Sequence, residues 1–163
     1  MIVKQLFIAS NPVKSTYPLM GFKNGGLWMQ KKLNELTDES FTRTPNFVFL
    51  GLVKYIFSIS IGLVISFLYS SNLPLGIFLF IVGFYLIEVH FLFLFPLAIE
   101  GERPLFYKSI LLTYKTGIVT AFFNTIFIAG FMLIGVLNFK KPLANWYKGC
   151  YIILFWYVDV RDR

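Results

Sequence analysis

The stretch Pro74–Glu100, PLGIFLFIVGFYLIEVHFLFLFPLAIE, is the strongest indication of how this chain folds. It is almost entirely apolar, and at about 1.5 Å per helical residue it is long enough to cross a bilayer core of about 30 Å. Glu88 and the chain's only histidine, His90, stand inside it. Because a carboxylate inside a membrane is costly, Glu88 is the first candidate for a functional residue.

The composition points to a membrane protein. The 163 residues are 57% hydrophobic and 20% aromatic, which is more apolar surface than a soluble domain of this length can bury. The net charge is +7, and the bases lie beside apolar runs, which favours contact with anionic lipids over binding of nucleic acid. A single cysteine, Cys150, excludes an internal disulfide and a cysteine metal cluster.

The alternation of apolar runs and polar connections predicts an all-α, multi-pass transmembrane helical bundle. We interpret 143–158 as a fourth, short or tilted span, and the alternative is an in-plane helix. Trp146 near its start suits a membrane interface. The predicted parts are an N-terminal arm over 1–45, a transmembrane domain over 46–158 with three full spans at about 46–69, 74–99 and 116–137, an amphipathic lead-in over 105–115, and a polar tail over 159–163.

The polar arm contains one amphipathic segment, LWMQKKLNEL at 27–36, after Gly25 and Gly26 end an irregular stretch. We expect a short helix on the membrane surface, with Trp28 at headgroup level and Lys31 and Lys32 toward the phosphates. Packing of this helix on a partner subunit is an equal alternative.

Two series of small residues spaced four apart predict close helix packing. Such residues let another helix approach, either within the chain or in a partner. The first series is in span one and the second is in span three; they comprise Ser58, Gly62 and Ser66, and Gly117, Ala121, Thr125 and Ala129.

Intramembrane charges are rarely left unpaired, so a partner for Glu88 is expected. Lys54 lies about 10 Å from the inner edge of span one, and Glu88 about 16 Å from the inner end of span two. Lys115 stands at the inner entrance to span three. We therefore expect Glu88 to pair with Lys54 or Lys115 through the long lysine stem. Asn124, in the middle of span three, also needs a hydrogen-bond partner.

The sequence predicts no metal site. Glu88 and His90 are two residues apart, so on a helix they point about 200° apart and cannot both bind one ion. A lone histidine among apolar residues is more often a packing residue than a ligand. No cofactor is evident, and bound lipid is expected.

The bases cluster in the N-terminal arm, in the connection from Glu100 to Lys115, and in the tail. The positive-inside rule then places both termini on the cytoplasmic or matrix side of a bacterial inner (plasma) membrane or an organellar inner membrane. Lys140 and Lys141 are an exception to this pattern.

The phosphate-binding, dinucleotide-binding and nucleophile-elbow motifs are absent, which argues against an enzyme. We interpret the chain as a non-catalytic structural or accessory subunit, whose partners are other membrane subunits or copies of itself. One alternative is a small ion-coupled transporter or channel component that uses Glu88. The other is a membrane enzyme acting on a lipid-soluble substrate, with Glu88, His90, Glu100 and Glu102 as its polar groups.

Overall fold

The computed structural model describes residues 21–68, 72–137 and 144–163, and this part of the chain is all-helical. Three helical stretches, Phe47–Leu68, Leu73–Glu100 and Ile118–Gly135, are long and apolar enough to cross a membrane. The all-α, multi-pass transmembrane fold is therefore confirmed. The predicted arm before residue 21, the end of span one at Tyr69 and the Lys140–Lys141 turn lie outside the described residues.

The helices correspond closely to the predicted segments. The second predicted span is divided into two helices, and the lead-in to the third span is a helix of its own. The described residues form α1 (Gly21–Thr37), α2 (Phe47–Leu68), α3 (Leu73–His90), α4 (Leu94–Glu100), α5 (Leu105–Lys115), α6 (Ile118–Val136) and α7 (Ala144–Arg161).

Helix α1 begins earlier than the sequence predicted. Gly25 and Gly26, expected to end an irregular segment, lie inside it. A Cβ added at Gly26 would stand 2.2 Å from the Phe47 ring, so the missing side chain is what allows α2 to approach α1. Tertiary packing here outweighs the low helix propensity of glycine.

The second span is interrupted at Phe91–Phe93 and is not one continuous helix. Pro96 lies in the first turn of α4, where its missing N–H is tolerated. In an unbroken helix its ring would clash with the Leu92 carbonyl. The proline therefore divides the span, but the break falls one turn before the proline itself.

The best-packed core surrounds this break. The Phe93 side chain is fully buried, and its ring centroid lies 5.5 Å from that of Trp156 and 5.9 Å from that of Tyr157 on α7. Leu33 of α1 is also fully buried in this core. By contrast, α2, α3 and α6 expose large apolar side chains, which is typical of helix faces that contact lipid.

The first small-residue series packs inside the chain. Ser58 and Gly62 are buried, and a Cβ at Gly62 would lie 3.0 Å from the Phe80 ring of α3. A Cβ at Gly83 would lie 3.4 Å from the Gly62 Cα, and one at Gly76 would lie 3.3 Å from Ser66 Oγ. The series therefore lets α2 and α3 approach each other closely.

The second series is used only in part. Ala121 and Thr125 are buried and Ala129 is half-buried, but Gly117 is exposed and precedes α6 with a φ of 85°. Gly117 is therefore an N-terminal cap and does not join the helix face. The close approach of α6 to α7 uses Gly135 and Gly149, where added Cβ atoms would lie 2.3 Å from Asn145 and Met132.

Candidate functional site

Lys54 and Glu88 form an ion pair between α2 and α3. Lys54 Nζ lies 2.6 Å from Glu88 Oε1, and the two residues are only 8% and 9% exposed. The expectation that Glu88 pairs with a lysine is confirmed, and Lys54 is that lysine. Lys115 instead donates a hydrogen bond to the Val160 carbonyl at 3.0 Å.

The surroundings hold the lysine in place. The Tyr55 ring centroid lies 5.6 Å from Lys54 Nζ, a distance at which an aromatic ring attracts a cation. One turn further along α2, the buried Ser58 hydroxyl donates to the Lys54 carbonyl at 3.0 Å. Since water is largely excluded, the two charges depend on each other, and removing either would leave the other buried and uncompensated.

One oxygen of the carboxylate is not used by the pair. Glu88 Oε2 is buried and has no hydrogen-bond partner among the described residues. Trp28 Nε1 is in the same situation. An unsatisfied polar atom in a buried place is uncommon, so Glu88 Oε2 is the feature of this site that a purely structural ion pair explains least.

Helix α5 donates side-chain hydrogen bonds to two backbone carbonyls beside the break between α3 and α4, of which that of Val89 also accepts from the Leu92 N–H at 3.3 Å. The Ser109 hydroxyl donates to the His90 carbonyl at 2.7 Å, and the Thr113 hydroxyl donates to the Val89 carbonyl at 3.1 Å. Inside a membrane protein, carbonyls released by a helix break need such partners. The break, the ion pair and α5 are therefore parts of one connected polar region.

His90 does not share a site with Glu88. Its Nδ1 donates to the Leu86 carbonyl at 2.6 Å, and its ring packs against Tyr114 with a centroid distance of 5.7 Å. Glu100 pairs with Arg161, and Glu102 pairs with Lys108. Within the described residues, no group of three His, Cys, Asp or Glu side chains could hold a metal ion.

A second polar cluster joins three elements at the ends of the helices. Glu100, at the end of α4, accepts hydrogen bonds from Tyr157 Oη at 2.6 Å and from Arg161 Nη1 at 2.6 Å. Arg161 also lies 3.9 Å from Glu39, in the connection after α1. Burial lowers the pKa of the Arg161 guanidinium, but hydrogen bonds with Asp162 and Glu100 outweigh this and raise it.

Sequence reasoning missed this cluster. Arg161 belonged to the predicted polar tail, and Tyr157 belonged to a predicted apolar span. The two residues stand 61 and 57 positions from Glu100. Nothing in the local sequence links them, because only the tertiary fold brings the end of α7 beside Glu100.

The predicted interfacial residues have mixed surroundings. The Trp28 ring lies 5.0 Å from that of Tyr147, while Lys31 and Trp146 are exposed. Lys32 pairs with Glu35, and Asn124 is half-buried. The interfacial role of these residues stays a prediction. What the structure adds is that α1 packs on α2, α4 and α7 of its own chain.

These observations describe a small, membrane-embedded, all-helical protein with a buried ion pair. No family model, curated protein or solved structure matches the chain. Its role therefore has to be argued from the geometry.

Proposed function

We propose that this protein is a non-catalytic structural subunit of a larger membrane protein complex. The observation that carries the proposal is the position of α1. The Phe22 ring at its start packs against Tyr55, with a centroid distance of 5.5 Å. Tyr55 is eight residues after Phe47, so α1 reaches about 12 Å along a helix that is apolar enough to span the membrane.

The outer face of α1 does not suit lipid. Lys23, Leu27, Lys31 and Glu35 follow one another at four-residue spacing, and all four are exposed. Helix α2, on which α1 packs, exposes Leu52 and Ile56. Charged side chains next to a lipid-facing surface are unfavourable unless a polar surface covers them. A partner subunit over α1 would supply that surface.

The internal polar contacts fit the same role. Lys54 is paired with Glu88, and Ser109 and Thr113 are bonded to backbone carbonyls. These contacts fasten helices to one another and leave few groups free for chemistry. A rigid scaffold of this kind is what a structural subunit needs.

The first test is the composition of the native complex. Extraction from the source membrane in mild detergent, native gel electrophoresis and mass spectrometry of the band should yield an assembly with partners in fixed stoichiometry. Migration alone, or with lipid only, would overturn the proposal.

A photocrosslinking amino acid provides a sharper test of the surface. At Leu27, which is 39% exposed, it should attach to one polypeptide that is also present in the native band. At Leu33, on the same helix but fully buried, it should attach only within the chain. Crosslinks from position 27 to lipid alone would contradict coverage by a subunit.

A second candidate function is an ion-coupled membrane component, and the buried, unpartnered Glu88 Oε2 favours it. In proteoliposomes, Glu88→Gln should then abolish proton or cation flux, while Glu102→Gln, which changes a half-exposed acid, should leave it intact. Equal flux in the wild type and both variants, or no flux in any of them, would remove this candidate.

We also propose that α7 is the fourth span and that both termini lie on one side of the membrane. Support comes from Lys115, just before α6, which touches Val160 near the end of α7. If α6 crosses, the chain must return across the membrane to make this contact. Cysteines are introduced at Ser40 and Asp162 in a Cys150→Ser background. Accessibility labelling should show that both positions face the same side of the membrane.

A further inference from the structure

Helix α5 occupies a special position in the chain. It lies between Glu100, where the second apolar stretch ends, and Ile118, where the third begins. Helix α3 has 18 residues and by itself covers about 27 Å, so the break after His90, to which α5 is hydrogen-bonded, lies at one end of the span and α5 lies at the membrane surface. An amphipathic helix at this position has lipid headgroups within reach.

The inner face of α5 is fixed by hydrogen bonds. Ser109 and Thr113 are fully buried, and they donate to the carbonyls of His90 and Val89. These residues are four apart and therefore lie on one side of the helix. Their contacts set the rotation of α5 and determine which side chains face outward.

The outer face carries an apolar and aromatic stripe. Tyr107, Leu111 and Tyr114 are 63%, 54% and 56% exposed, and at about 100° per residue they lie opposite Ser109 and Thr113. Lys108 and Lys115 follow the stripe along one edge. The aromatic residue types are those enriched at membrane interfaces, where the ring is partly apolar and the hydroxyl stays wet.

The charges of this segment are mostly positive. Arg103 is exposed just before the helix, and Lys115 is exposed at its end. Lys108 pairs with Glu102, the one acid between Gly101 and Lys115. Three bases against one acid complement an anionic surface and would repel a basic one.

We propose that the outer face of α5 binds the headgroup layer of anionic phospholipids. Leu111 enters the boundary with the acyl chains, Tyr107 and Tyr114 lie at headgroup level, and Arg103 and Lys115 contact lipid phosphates. This surface differs from the charged face of α1, so the inference is independent of the proposed function. A partner protein covering α5 is the competing outcome of the test.

The depth of Leu111 tests the placement. The full chain, with Cys150→Ser and a spin label at Leu111→Cys, is reconstituted in bilayers of phosphatidylcholine and phosphatidylglycerol. Collision with oxygen and with a water-soluble nickel complex then reports depth. Matched labels at Ser40→Cys, in an exposed connection, and Phe127→Cys, on the exposed face of α6, give the two reference environments.

The proposal predicts a depth at Leu111 between the two references, just below the phosphates. A label as accessible to the nickel complex as the one at Ser40→Cys would show that the face lies in water. A label shielded from both reagents would show that protein covers the face. Either result overturns the proposal.

The charges are tested with lipid competition. Native mass spectrometry should count fewer retained phosphatidylglycerol molecules in Arg103→Gln and in the Arg103→Gln/Lys115→Gln double variant, with about a fivefold loss of affinity for each base. Because Lys115 also contacts Val160, the single variant keeps the test valid if the double variant is unstable. Arg163→Gln, in the tail, is the control. Unchanged retention in Arg103→Gln would contradict the proposal.

Discussion

The two polar clusters of this protein differ in what surrounds them. Lys54 and Glu88 are buried between α2 and α3, whose other faces are apolar and exposed. Glu100 and Arg161 meet at the ends of helices, where the arginine side chain is 27% exposed and the glutamate side chain is 9% exposed. The first pair is almost inaccessible to solvent, whereas the second has Tyr157, Asp162 and Glu39 nearby.

The same ion-pair chemistry has different consequences where the surroundings of the two charges differ. A buried pair stabilises little by itself, because desolvation offsets most of the attraction, but losing one partner is severe. The Glu100 side chain is also buried, but Tyr157 still donates to it if Arg161 is lost, and the exposed part of Arg161 stays in contact with solvent. The expected effects therefore decrease from the first pair to the exposed tail.

The largest effect is expected for Glu88→Leu. It leaves the Lys54 ammonium buried and uncompensated, and it should lower the free energy of unfolding in detergent by about 3 to 5 kcal/mol. The Lys54→Met/Glu88→Leu double variant should recover most of this loss, because no charge then stays buried. Denaturant unfolding monitored by circular dichroism measures both. If the double variant is as unstable as the single variant, the charge is not the cause.

The next effect concerns the helix break. Ser109→Ala removes the hydroxyl that donates to the His90 carbonyl and changes the side-chain volume little. Leaving that carbonyl unsatisfied should cost about 1 to 3 kcal/mol. The same change at Ser60, which is exposed on α2, is the control and should have little effect on thermal unfolding. Equal losses of thermal stability at the two sites would show that the hydrogen bond at the break contributes nothing special.

A smaller effect is expected in the second cluster. Tyr157→Phe removes one hydrogen bond to Glu100 but leaves Arg161 in place, so the loss should be about 1 to 2 kcal/mol. A double-mutant cycle with Glu100→Leu, which removes both acceptor oxygens, isolates the coupling between the two residues. Additive effects in that cycle would mean that the Tyr157 hydroxyl does not interact with Glu100.

The smallest effect is expected at the tail. Asp159 and Arg163 are paired one turn apart, and both side chains are well exposed. Asp159→Asn should change the free energy of unfolding by less than about 0.5 kcal/mol, and added salt should remove even that difference. A loss comparable to that of Tyr157→Phe would show that the tail is covered in the assembled state.

Much of this architecture could be predicted from the apolar runs. The three long spans and the separate lead-in helix follow from length and composition, because a helix must cover about 30 Å of hydrocarbon. The pairing of Glu88 with a lysine followed from the cost of a lone charge in a membrane. Both features depend only on the local sequence and on the apolar bilayer core, and not on how the helices pack.

Other features needed the folded chain. Gly26 lies inside α1, where the Phe47 ring occupies the place that a side chain would take. Gly117 caps α6 and therefore does not belong to the small-residue face of that helix. Gly135 and Gly149, which allow the contacts between α6 and α7, belong to neither of the two series of small residues in the sequence. Positions of this kind depend on what another helix presents, so the sequence around them carries no signal.

The apolar pattern of the sequence predicts the class of molecule, its long helices and the pairing of Glu88 with a lysine. The folded chain was needed to show that Lys54 is this partner, that Ser109 and Thr113 of α5 bond to carbonyls beside the break, and that Glu100 meets Tyr157 and Arg161. The physical reason is the separation along the chain of the residues that each effect involves. Hydropathy acts on each segment separately, whereas a hydrogen bond requires two distant atoms within about 3 Å.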